Sequence, residues 1–154
     1  MPSGMTRLTE NIYSLTEREK ISSPMARQLL HLACHAENIT AIAEAREQQG
    51  LFLDRWWWST VAYGWYAGNL EQTGLTRSTF FGLIDAIWSG EPADVLFLFM
   101  APFERDELNR DEVRVGYQTL AAEHASTTVV VPESGPEETT AFILANLRSR
   151  ELLR

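Results

Sequence analysis

The sequence predicts an α/β domain: a small doubly wound parallel sheet of three to four strands, with helices on both faces and a tryptophan-rich helical segment. Three observations predict it. Asp94 to Met100 (DVLFLFM) and Thr127 to Val131 (TTVVV) are continuous apolar runs, the pattern of strands buried on both faces. Glu107 to Ala125, between them, carries Val113, Tyr117, Leu120 and Ala121 at helical spacing. Strand, helix, strand, helix is also the order of a parallel sheet joined by helical crossovers.

The remaining elements follow in chain order. Residues 1–10 read as a loose lead-in, and Asn11 to Leu15 (NIYSL) as a first strand. Ser22-Ser23-Pro24 is a helix start, a serine cap with proline at the first helical position. From Met25, apolar residues recur at Leu29, Leu32, Ala33, Ala36 and Ile39 and continue to Gly50, a C-terminal stop. Asn38-Ile39-Thr40 is a candidate break in this helix, and Leu51 to Asp54 a candidate fourth strand. Four of the five tryptophans fall between Trp56 and Trp65; Asn69 and Gly74 offer stops, which favours a helix there. Thr76 caps a further helix with Phe80, Leu83, Ile84, Ile87 and Trp88 on its apolar face, ended by Gly90 and Pro92. Pro136 to Arg150 closes the chain with Phe142, Ile143 and Leu147 inward. All 154 residues form one domain on this reading, without repeat or linker.

Composition excludes several function classes. Asp and Glu number 21 against 13 Lys and Arg, a net charge of -8. Such a chain is a poor non-specific binder of nucleic acid or anionic membrane, since both are polyanions. Trp56 to Ala67 and Val95 to Phe103, the most apolar stretches, are far short of a membrane span. Met1 to Asn11 lacks the basic and apolar regions of a secretory signal. Cys34 is the only cysteine, so a cytoplasmic setting is expected. Lys20 is the only lysine against twelve arginines, the bias of a GC-rich bacterial gene.

Short motifs then line up. Ile84-Asp85-Ala86-Ile87 precedes Ala93-Asp94-Val95-Leu96, and Arg114-Val115-Gly116-Tyr117 precedes Thr128-Val129-Val130-Val131-Pro132, with Ile12-Tyr13 near the start. In this order they resemble the nucleoside 2-deoxyribosyltransferase-like branch of the Rossmann-type folds, over about a third of the chain. The resemblance implies a nucleoside- or nucleotide-like ligand and N-glycosidic hydrolase or transferase chemistry. It assigns Asp85 to a nucleoside hydroxyl, for which a carboxylate has the acceptors. The family's nucleophilic glutamate falls on Arg114, which cannot attack a sugar carbon. Glu112 is then the remaining nucleophile or base, and Arg114 a phosphate partner. Tyr13 and Tyr117 complete the expected substrate-binding set. A ligand in such a sheet binds beyond the strand ends, where Thr16, Glu17, Pro102, Glu104, Asp106, Glu133 and Ser134 form the expected rim.

Other constellations weigh less. Glu104 to Glu112 is an acidic loop entering a helix, where the backbone dipole accounts for the acids and calcium-loop spacing is absent. His31, Cys34 and His35 share a helix face and are zinc-ligand types, but no paired motif accompanies them, so no metal site is expected. Arg27 has three residues before His31 and seven before His35; neither fits the arginine–histidine spacing of the helical HEPN ribonucleases. No phosphate loop, dinucleotide fingerprint or serine-hydrolase elbow occurs, so no cofactor is expected. Three successive tryptophans cannot all face inward on one helix. Trp56, Trp57, Trp58 and Trp65 are therefore the favoured surface for a homo-oligomer or heteromer, with an aromatic wall for a base or sugar and core filling as the alternatives. The alternative function is a non-enzymatic acidic interaction protein, of immunity-protein, antitoxin or chaperone type, that binds a basic protein partner.

Overall fold

In the computed structural model, which describes residues 5–68, 70–100 and 110–153, the chain is mostly helical. Its helices are α1 (Arg7–Arg18), α2 (Pro24–Gln49), α3 (Trp57–Thr60), α4 (Arg77–Trp88), α5 (Asp111–Glu123) and α6 (Pro136–Ser149). A wider π-helical turn, Val61–Tyr66, continues α3, and a short 3-10 turn, Leu70–Thr73, follows it. The described strands are β1 (Leu96–Phe99) and β2 (Thr128–Val131), paired in parallel with Leu98 opposite Val130. This overturns the expected three- to four-stranded doubly wound sheet. One βαβ unit, with α5 as its crossover, is joined to a helical N-terminal half.

Asn11 to Leu15 is helix, not strand. Thr6 caps α1 by accepting from the Thr9 amide, and the Thr9 side chain returns a bond to the Thr6 amide, a reciprocal cap that nucleates a helix. The lead-in therefore ends by Thr6, and Ile12 and Tyr13 belong to a helical turn. Leu51 to Asp54 joins no ladder. The helix starting at Pro24 runs unbroken to Gln49, capped by Ser23 and stopped at Gly50 with φ 80°. Asn38 does not break it, because its side chain is buried 3.3 Å from the Thr9 hydroxyl and ties α2 to α1. Asn69 lies outside the described residues, as do the acidic loop from Glu104 to Glu107 and the rim candidates Pro102, Glu104 and Asp106.

The core gathers around α3 and the π-helical turn. Trp57, Trp58, Val61, Ala62 and Trp65 are all buried there. A helix with partners on every side is apolar all round: α2 packs on one side and α5 on the other. That is how successive tryptophans both turn inward. The Trp57 and Trp58 rings meet His124 at 5.6 Å. Trp56, in the extended cap position, packs half-buried against Trp57 and Trp88. The tryptophans expected to form an association surface are core, because Trp57, Trp58 and Trp65 are enclosed by this chain's own helices.

The sheet is also less buried than its apolar sequence implies. Leu98 and Val131 are inside, but Phe99 is 58% and Val130 57% exposed. With two strands among the described residues, each has one neighbour strand instead of two. Among the described residues no helix is long and apolar enough to cross a membrane.

Placing Val130 outside reverses an expectation the apolar run invites, that Val130→Asp abolishes folding. Val130→Asp is expected to change unfolding free energy by less than about 1 kcal/mol, as surface substitutions do. Leu120→Ala, at a fully buried position, is expected to cost about 2–5 kcal/mol. Urea denaturation of both variants checks the pair; the reverse order would place β2 in the interior.

Candidate functional site

The N-terminal half of α2, the π-helical turn and the start of α5 line a partly open cavity of about 380 Å³, within the size range of small-molecule sites. Arg27, Gln28 and His31 face it from α2, Tyr63 and Gly64 from the π-helical turn, and Arg110 from the cap of α5. Ile21, Pro24 and Ala67 supply apolar wall. Arg27 and His31 are four residues apart, so both project from one face of α2.

Backbone contacts fix the arginines. Arg27 donates to the Ile21 carbonyl at 3.1 Å, and Arg110 donates to the Ala67 carbonyl. Each guanidinium has five N–H donors in a fixed fork, so one bond sets its direction without exhausting it. Arg110 Nε also stands 3.9 Å from Glu112 Oε2. Gln28 is buried, with its amide packed on Gly64, where any Cβ would collide with it. A side chain at Gly64 would have to displace that amide, the far end of the Gln28 side chain. Among the described residues, the Gln28 Oε1 and His31 Nδ1 atoms have no hydrogen-bond partner.

The π-helical turn shapes the opposite wall. Its wider winding shows in the Ala67 amide donating to the Ala62 carbonyl, five residues back, at 3.1 Å. Such turns often occur at functional sites. Arg55, in the left-handed region with φ 64°, holds its guanidinium 5.7 Å from the Tyr63 ring centre.

Electrostatics set the site apart from the acidic chain around it. None of the described residues lining the cavity is Asp or Glu. Burial, and then the Arg27 guanidinium, lowers the His31 pKa below its usual value, so His31 is neutral near pH 7. One turn along α2, His35 is fully buried, with Nε2 2.8 Å from Thr60 Oγ1 and its ring edge-on to Trp88. Burial, and then His31, brings its pKa from 6.5 to about 4. Burial also raises the Cys34 thiol. His31, Cys34 and His35 thus differ in role: one lines the cavity and two are core. Among the described residues no three His, Cys, Asp or Glu side chains could hold a metal ion together.

The residues singled out in the sequence do not converge on this cavity. Asp85 is exposed on α4, one turn before Trp88, which packs on His35. The chain beyond α4 then pairs Glu91 and Asp94 with Arg46 near the end of α2. Glu112 and Arg114 are exposed on the first turns of α5, beside the opposite half of α2. None of the three lines the cavity. Tyr117 is half-buried with its hydroxyl 2.7 Å from Ser59 Oγ, and burial raises its pKa. Two of the singled-out residues stand beside lining residues: the Tyr13 ring centre is 6.5 Å from that of His31, and Glu112 Oε2 is 3.9 Å from Arg110 Nε. Thr16 and Glu17 belong to α1 rather than to a strand end, so the rim rule has no purchase on them; Glu133 and Ser134 follow β2, both exposed.

Sequence reasoning passed over Arg27, Gln28, Gly64 and Arg110. The signal for the first pair was the Arg27–His31 spacing, which puts two basic side chains on one face of α2. Comparison of the sequence with known protein families, and with characterised proteins, returns no match.

The buried His35 predicts an acid-labile fold. Its pKa is depressed in the folded state, so its contribution is complete above pH 6.5 and is lost as pH falls from 6.5 towards about 4. The unfolded chain takes up the proton first, at a cost to stability on the order of 3 kcal/mol. Denaturant unfolding across that range is expected to show this decline, and His35→Gln to flatten it. An unchanged slope in the variant would place the lost stability on other groups.

Proposed function

We propose that the protein binds a small, phosphate-bearing, nucleotide-like molecule in the cavity between α2, the π-helical turn and the start of α5. The observation that carries this reading is a pair of backbone-anchored guanidiniums, Arg27 and Arg110, with His31 around one cavity whose described lining residues include no acid. Arginine forks match phosphate oxygens in two-pronged contacts. The positive end of α2 adds to the same field: Ser23 and Pro24 begin it, and its first turn has no acidic residue. Tyr63, Ile21 and Ala67 supply surface for the uncharged part of the ligand.

The role proposed is binding. Glycosidic chemistry needs a carboxylate within hydrogen-bond reach of the reacting atom, and Glu112 and Asp85 lie outside this cavity. The N-glycosidic expectation attached to them is therefore not carried into the reading. The buried Cys34 thiol suits a cytoplasmic protein.

A second reading, the acidic interaction protein, is favoured by the net charge of -8 and by exposed acids in the first turns of α5 and α6. It does not rest on the tryptophans. Its test is capture of a basic protein partner, lost at raised salt.

Adenosine 5′-monophosphate is expected to raise the melting temperature in a concentration-dependent way, as a ligand of the native state must. Arg27→Ala and Arg110→Ala are each expected to weaken binding by roughly tenfold or more, the loss of one charge-assisted contact. Asp85→Ala is expected to bind as the parent does. Calorimetric titration checks all three. Equal affinity in parent and arginine variants would reject the cavity as the site.

A further inference from the structure

We propose, on the strength of the phosphate-binding reading above, that the cavity selects a terminal phosphate, a phosphomonoester, by joining Arg27 and Arg110 with a proton taken up at His31. The geometry places three basic side chains from two elements around one space. Both guanidiniums are held by backbone carbonyls and keep their charge at any physiological pH. Only the third group, the imidazole, can adjust.

The surroundings of His31 decide when it does. Arg27 and His35 lie one turn away on either side along α2, Tyr13 faces it from α1, Tyr63 from the π-helical turn, and Arg110 lines the same cavity at the start of α5. None of these is an acid. Glu112, beyond Arg110, is exposed and stands against that guanidinium. Among the described residues no lining group thus favours a proton on His31, and Arg27 opposes one. An anion in the cavity reverses that balance.

The class of anion follows from its charge. A phosphomonoester has a second ionisation near pH 6 and carries about −1.5 to −2 at neutral pH. A phosphodiester or a carboxylate carries a single negative charge. Two guanidiniums already exceed that single charge, whereas the second charge of a monoester leaves a role for a third cation. The proton comes from solvent, forms an N–H bond on the imidazole and leaves with the ligand. Buried Gln28, packed on Gly64, closes the cavity wall beside these groups.

The experiment is calorimetric titration of the full chain near neutral pH in two buffers of different ionisation enthalpy. The probes are adenosine 5′-monophosphate, ribose 5-phosphate, inorganic phosphate and adenosine 3′,5′-cyclic monophosphate. The monoesters are expected to bind at least about tenfold more tightly than the cyclic diester, with net proton uptake. His31→Gln is expected to remove both the preference and the uptake. Stronger binding of inorganic phosphate than of either ester keeps the terminal phosphate and identifies the free ion as its source. Cyclic diester binding equal to the monoester, or proton uptake that survives in His31→Gln, overturns the inference and leaves phosphate binding standing. If no probe binds, the phosphate-binding reading itself falls. Should His31→Gln fail to fold, proton uptake by the parent chain decides: its absence during monoester binding overturns the inference.

Discussion

The rest of the structure depends on the close approach of α5 to the π-helical turn. Gly116 makes it possible: a Cβ there would lie 3.1 Å from Ala62 Cα and 2.8 Å from the Tyr66 ring. Both partners are backbone or stiff ring, so neither yields cheaply. From that contact follow the burial of Ala62 and Val113, the hydrogen bond between Ser59 and Tyr117 and the anchoring of Arg110 on the Ala67 carbonyl. The crossover helix of the βαβ unit thereby completes the core of the helical half. It also presents its own cap as one wall of the cavity.

Parts of this were legible in the sequence. Ser23-Pro24 and Gly50 bound α2, Thr76 opens α4, and the two apolar runs do pair in parallel through α5. Caps and prolines act through neighbouring atoms, so they read well locally. The sheet did not read. A run such as TVVV has strong β propensity, but whether both its faces are covered depends on how many strands join, which is tertiary. Asn11 to Leu15 misled because five residues with Ile and Tyr fit either period; the Thr6–Thr9 cap outside that window decides for helix.

The site was less legible than the fold. The family resemblance points to Asp85, Glu112 and Arg114, and a Rossmann-type sheet is what would bring them to one edge. Without that sheet the inference loses its geometry: Asp85 lies exposed on α4, and Glu112 and Arg114 lie exposed on α5. Arg27, Gln28 and His31 come from continuous sequence, but what makes them a site is Gly64 and Arg110 from elsewhere in the chain. Gly64 matters through a contact with Gln28, and spacing says nothing of it. Of the readings open for the tryptophans, core filling describes Trp57, Trp58 and Trp65, and the association surface had the weaker geometry. That surface reading treated the helix as having one inner face, whereas α3 has neighbours on both sides. Arg27, Arg110 and a neutral His31 gather at one cavity whose described lining residues include no acid, an electrostatic exception within a chain of net charge -8.

The account turns on His31 being neutral in the free protein and charged when the cavity holds a phosphate. Side-chain nitrogen NMR of the imidazoles near neutral pH, with and without saturating adenosine 5′-monophosphate, observes this directly. The account predicts that the His31 nitrogens move from the neutral to the cationic pattern on binding, while buried His35 stays neutral. A bound nucleotide that leaves His31 neutral, with the response appearing at His124 instead, would contradict it.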